Sequence, residues 1–197
     1  MCMNLPNKLT VLRLCFVPVI IAVLLLPVNI YTNIIGALIF LITALTDMLD
    51  GKIARAQNLV TDFGKFLDPL ADKFMVISAM MCLMYRHHTD EVIFTVFCFL
   101  VMVTVFRELA VTSIRLIAAK NANIVVAANM LGKIKTVSQI VCVMAALLEP
   151  VLAKIGFLSF LEHYPITLAA AAVTFVMTVW SGVVYLKTYW KYLDKKM

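Results

Sequence analysis

Residues 47–72 read DMLDGKIARAQNLVTDFGKFLDPLAD. Two carboxylate pairs stand in this stretch, Asp47 with Asp50 and Asp68 with Asp72, and on a helix such separations of three and four residues place both members on one face. Each pair adjoins an apolar run, since residues 34–46 before it and 74–85 after it carry no charge. Two helices joined by a short connection would therefore set the pairs opposite each other. Pro69 is compatible with this if it occupies the first turn of a helix capped by Asp68, or kinks a helix. Gly51, Ala54 and Gly64 lie between the pairs; small residues admit a ligand or a neighbouring helix, and taken alone they signal helix packing.

The rest of the chain says what surrounds these acids. Of 197 residues 63% are hydrophobic and 14% charged, and the mean hydropathy is +1.00, whereas soluble domains run at about 45–50% apolar and about 25% charged. The expected class is an all-α integral membrane protein, with residues 1–197 forming a single membrane domain. Apolar runs predict six transmembrane helices at 9–30, 33–57, 66–86, 90–118, 130–148 and 165–190. An even number of crossings leaves both termini on one side. That side holds fifteen of the 17 Lys and Arg residues, the other only Arg86 and Lys154, so the excess of basic residues predicts cytoplasmic termini. Net charge +6 is then largely a matter of topology, and a nucleic-acid partner is not expected. No cleavable signal is expected either, because Asn4-Leu5-Pro6-Asn7-Lys8 precedes the first apolar run and no small-residue cleavage site follows. Five scattered cysteines, Cys2, Cys15, Cys82, Cys98 and Cys142, show neither a disulfide framework nor zinc spacing.

Crossing takes about 20 residues, yet the second to fifth runs have shorter uncharged stretches. To cross, these helices must carry Asp47 and Asp50, Asp68 and Asp72, Arg107 and Arg115, and Lys133 and Lys135 at or below the cytoplasmic membrane boundary. Charges at that depth need water, a partner or an ion, which predicts a polar cavity open to the cytoplasm. Lys and Arg can snorkel to the headgroups; short aspartates cannot do so as well. Four clustered carboxylates repel by about 4 kcal/mol per pair at 4 Å and an effective dielectric of about 20. Protonation, as in a proton or ion pathway, relieves this, and so do two divalent cations. Oxygen-only ligands favour Mg2+ or Mn2+, and paired metals of this kind serve phosphoryl chemistry. A transporter would more naturally place ionisable groups at the midplane or on both sides.

Residues 47–72 carry, at every fixed position, the pattern D-x2-D-G-x2-A-R-x8-G-x3-D-x3-D. In this the chain resembles the CDP-alcohol phosphatidyltransferases, membrane enzymes of phospholipid synthesis. The resemblance implies a six-helix membrane fold, a homodimer, and a CDP-linked lipid bound beside two metals. It implies Asp47, Asp50, Asp68 and Asp72 as metal ligands, Asp72 also as general base toward the acceptor hydroxyl, and Gly51, Ala54, Arg55 and Gly64 around the nucleotide and diphosphate. Asn4-Leu5-Pro6-Asn7-Lys8-Leu9-Thr10 with Arg13, Arg107-Glu108-Leu109 with Ser113-Ile114-Arg115, and Gly132-Lys133-Ile134-Lys135-Thr136 with Gln139 are similar to the branch that uses CDP-diacylglycerol as donor and glycerol 3-phosphate as acceptor. By the same likeness Asn7 and Thr10 would contact the CDP portion, although alone they read as helix-start punctuation. Other members would take phosphatidylglycerol or an inositol phosphate as acceptor.

Helix geometry sorts the basic residues that could meet the acceptor's phosphate. Arg107 and Arg115 are about 80° apart on a helix and can line one side of it, and arginine forks suit phosphate. Lys133 and Lys135 are about 200° apart, so only one can enter a given pocket; Lys135 shares a face with Gln139 and is preferred, which leaves Lys133 to snorkel. Glu108 either orients an arginine or forms an ion pair inside the bundle. His87, His88 and His163 fall on the outer side and are expected to be loop residues. Trp180, Tyr185, Tyr189, Trp190 and Tyr192 are expected to form an aromatic belt at the cytoplasmic interface.

Overall fold

A computed structural model of the chain describes residues 5–56, 62–122, 130–156 and 159–193, with the side chains of 11–46, 70–114, 130–156, 160–161 and 163–189. The described residues form six α-helices: α1 (Leu5–Leu25), α2 (Ile30–Ala56), α3 (Asp62–Arg86), α4 (Glu91–Ala122), α5 (Met130–Ile155) and α6 (Pro165–Leu193). A 3-10 turn, Ser159–His163, precedes α6, and no strand occurs among the described residues. The six predicted helices correspond to these one for one, and the differences lie at their ends. α1 stops at Leu25 because Pro27 follows, and α2 starts at a capping box in which Asn29 Oδ1 accepts from Thr32 N at 2.8 Å and Thr32 Oγ1 from Asn29 N at 3.1 Å. α3 begins at Asp62, so Asp68 does not cap it, and Pro69 lies in its interior rather than its first turn. α5 continues past Leu148 through Glu149 and Pro150 to Ile155.

Glu91–Ile114, Met130–Ile155 and Pro165–Tyr189 are long and apolar enough to cross a membrane, while Val11–Leu25 and Ile30–Thr46 are apolar but shorter. The helices close a ring in the order α1, α2, α5, α6, α4, α3, with α3 also touching α5 across its middle. Phe40, Met75, Met80, Leu83, Phe97 and Leu147 fill the interior. The outside is apolar as well: Phe99, Met102, Phe106 and Leu109 form an exposed stripe on α4, and Val176 and Trp180 do so on α6. Contiguous exposed apolar surface of this extent suits hydrocarbon rather than water. The buried stripe of α6 is small and hydroxylic, Thr167, Ala171, Thr174, Thr178 and Ser181, which lets helices approach closely and bond across the seam. Thr174 Oγ1 donates to Ser138 O of α5 at 2.9 Å.

One end of the ring is locked by polar contacts. Arg86, at the end of α3, donates from Nη1 to Leu24 O of α1 at 3.0 Å and from Nη2 to Asn33 Oδ1 of α2. Glu149 of α5 is 1% exposed and accepts from Ile166 N, Thr167 N and Thr167 Oγ1 at 2.8, 2.7 and 2.6 Å, capping the first turn of α6. His87 does lie in the turn after α3, but it is buried, edge-on to Tyr164 at 4.9 Å between centroids. Burial first, and the charge of Arg86 second, push its imidazole below the ordinary histidine range, with Asp90 opposing. It is therefore a packed ring and not an open loop residue. His88 and His163 are exposed.

Candidate functional site

At the other end of the ring, three helices bring charges together and a fourth, α6, backs them with an aromatic ring. Glu108 of α4 is buried. Its Oε1 pairs with Arg107 Nη1 at 2.8 Å and with Lys135 Nζ of α5, and its Oε2 faces Lys73 Nζ of α3 at 3.4 Å. Lys73 Nζ also donates to Thr112 Oγ1 at 2.7 Å. Arg107 lies over the ring of Tyr185 from α6, 5.5 Å from its centroid, a cation–π stack within the favourable range. Gly182, one turn before Tyr185, allows this approach, since a Cβ there would meet Arg107 Cγ at 3.2 Å. The Nε of Arg107 has no hydrogen-bond partner among the described residues. Gln139 lies one turn beyond Lys135 on the same buried face, its Nε2 3.4 Å from Thr104 Oγ1.

Asp72 of α3 is half-buried and acts electrostatically on Lys135, which ties one predicted carboxylate to the basic cluster. The side chains of Asp47, Asp50 and Asp68 lie outside the described residues, as do those of Asn7, Thr10, Arg55 and Arg115 and the surroundings of Gly51, Ala54 and Gly64. Their backbone positions are described. Asp47 and Asp50 stand on the unbroken helix α2, and Asp68 and Asp72 on the unbroken helix α3, so each pair shares a helix face. An all-oxygen donor set on two such faces fits divalent magnesium or manganese. Among the described residues no group of three metal-ligating side chains occurs, because only Asp72 of the quartet is among them. Lys135 is 5% exposed and turned inward, while Lys133 is exposed.

The sequence profile of one family, CDP-alcohol phosphatidyltransferase, matches residues 3–184. The chain belongs to the CDP-alcohol phosphatidyltransferase family. Among its relatives, a protein of Bacillus subtilis strain 168 is 38% identical over 201 residues, covering 96% of this chain and 97% of its own. One of Rickettsia felis is 33% identical over 189 residues, with coverage of 96% and 97%, and one of Salmonella choleraesuis is 33% identical over 184 residues, with 93% of both chains covered. All three carry the name CDP-diacylglycerol–glycerol-3-phosphate 3-phosphatidyltransferase.

Three residues of this CDP-alcohol phosphatidyltransferase take positions that the sequence alone does not assign. Lys73 follows Asp72 directly, and nothing local marks it as a partner of α4. Arg13, part of the opening pattern and counted among the cytoplasmic charges, is 2% exposed on the stripe of Val17, Ile20 and Leu24; its spacing from those apolar residues is the signal for that inward position. Tyr185 was expected in an interfacial belt and is instead 3% exposed against Arg107. A cation on the facing helix makes an inward position favourable for its ring, and only packing reveals it. Beside this cluster a cavity of about 200 Å³ opens between α4 and α6, lined by Val103, Phe106, Ala110 and Val183 along with Arg107 and Thr178. It is smaller than the roughly 300–1,000 Å³ of typical ligand pockets and mostly apolar.

Proposed function

We propose that the protein transfers the phosphatidyl group of CDP-diacylglycerol to sn-glycerol 3-phosphate, giving phosphatidylglycerophosphate and CMP. The names of the relatives support this donor and acceptor. The single observation of this structure that carries the acceptor assignment is the charge balance around Glu108: three cations from three helices converge on one carboxylate. Buried positive charge left unpaired is costly. An acceptor that brings its own phosphate supplies the missing anion, whereas a neutral alcohol does not. Arg107, Lys135 and, one side of α4 further along, Arg115 are the residues assigned to that phosphate; exposed Lys133 is left at the headgroups.

Asp47, Asp50, Asp68 and Asp72 would hold two divalent cations, Mg2+ or Mn2+, which when bound draw charge from the diphosphate and make the CMP phosphate a better leaving group. Asn7, Thr10, Gly51, Ala54, Arg55 and Gly64 would seat the CDP portion, with the acyl chains left in lipid. Asp72 takes the proton of the acceptor hydroxyl. The oxygen so released bonds to the phosphorus that carries diacylglycerol, and the bond from that phosphorus to the oxygen of CMP breaks. Arg55 stabilises the charge on departing CMP. The chain would cross the cell membrane six times as one domain of a homodimer, with both termini and the site facing the cytoplasm, because the basic residues gather on that side.

The test is purified protein incubated with CDP-diacylglycerol and a panel of acceptors. CMP release with glycerol 3-phosphate well above that with phosphatidylglycerol or inositol phosphate is expected. Preference for either of the others would reassign the acceptor, and ion flux in liposomes without CMP release would remove the enzyme assignment.

A further inference from the structure

We propose that Glu108 is a positioning residue for the acceptor's phosphate: its two carboxylate oxygens hold Lys73, Arg107 and Lys135, from three helices, at the spacing an anion between them requires. The proposal rests on the phosphatidyl-transfer assignment for the identity of the anion. Its own basis is geometric. Oε1 receives both Arg107 Nη1, at 2.8 Å, and Lys135 Nζ, while Oε2 faces Lys73 at 3.4 Å. α3 and α5 meet α4's charges at this carboxylate, and neighbouring contacts hold Lys73 and Arg107 from their outer sides. Thr112 Oγ1 accepts from Lys73 at 2.7 Å and the ring of Tyr185 backs Arg107 at 5.5 Å, while the charge of Asp72 acts on Lys135 from α3. Without the carboxylate three positive groups in a poorly solvated space would repel and spread. With it, they are kept as one convergent set whose remaining donors are available together, which is the arrangement phosphate oxygens demand.

Coulomb attraction and positioning make opposite predictions here, and that gives the test its edge. Removing a negative charge beside an anion site tightens anion binding if only the field matters. If Glu108 acts through the cations it orders, binding weakens instead. In full-length protein, Glu108→Gln is expected to raise KM for glycerol 3-phosphate about tenfold with KM for CDP-diacylglycerol unchanged, and to weaken inorganic phosphate binding by calorimetry by a similar factor. Glu108→Asp, which keeps the charge and loses one methylene, is expected to lose only about threefold on both readouts, and it carries the test if the glutamine variant does not fold. Equal losses for the two substrates, unchanged phosphate affinity, or tighter phosphate binding by Glu108→Gln would each overturn the proposal. Phosphate titration needs no turnover. A wild-type protein that binds phosphate but releases no CMP would therefore count against the transfer assignment alone, with Glu108 judged on the titration.

Discussion

Asp72 is the member of the acidic quartet whose side chain is described, half-buried on α3 and felt by Lys135. In the proposed transfer it is the group that takes the acceptor's proton. Asp72→Asn keeps the shape and removes the basic oxygen, so kcat is expected to fall by about 10²–10⁴-fold while binding of CDP-diacylglycerol, followed by equilibrium titration, stays within a small factor. Turnover close to normal in that variant would take the base role away from Asp72. At this scale the sequence was uneven. The helical spacing that paired Lys135 with Gln139 was visible, and both are buried. The inward turn of Tyr185 was not, because an aromatic near a helix end looks the same whether it meets a headgroup or an arginine across a seam.

Among the elements, α5 and α6 are joined by a device that hydropathy alone conceals. Glu149 interrupts an apolar run and looks like the end of a crossing, yet α5 continues past it to Ile155. The charge is tolerated because three donors of the α6 first turn converge on it, satisfying backbone groups that every helix start leaves unpaired. Glu149→Ala would strand those donors in a buried position, and a loss of about 3 kcal/mol of stability is expected from buried hydrogen bonds to a charged acceptor. A lowered thermal midpoint in detergent, with Glu149→Gln falling between the alanine variant and wild type, is the corresponding measurement. An unchanged midpoint for the alanine variant would show that the cap contributes nothing. Helix count and approximate span were readable because a 3.6-residue period and an apolar run are local properties. The end of α5 was not readable because donors from another helix satisfy Glu149 there.

For the whole molecule, the ring order α1, α2, α5, α6, α4, α3 decides which helices share the site. α4 meets α3 on one side and α6 on the other, so Arg107 and Glu108, adjacent in sequence, reach Tyr185 and Lys73 on different neighbours. If the two aspartate-bearing helices hold divalent cations, exhaustive chelation of the purified protein should abolish CMP release and added Mg2+ or Mn2+ should restore it; activity that survives chelation would remove the two-metal assignment. From the sequence by itself came the membrane class, six helices, the two aspartate pairs each on one helix face, and the family pattern, because composition, periodicity and spacing are carried by neighbouring residues. The tertiary structure alone decided that Lys73, Arg107 and Lys135 share Glu108. Lys135 and Glu108 are 27 residues apart and Lys73 and Thr112 are 39, and no local pattern specifies contacts over such separations. They follow from helix packing, which turns one face of each rod inward and leaves its charges to find one another there.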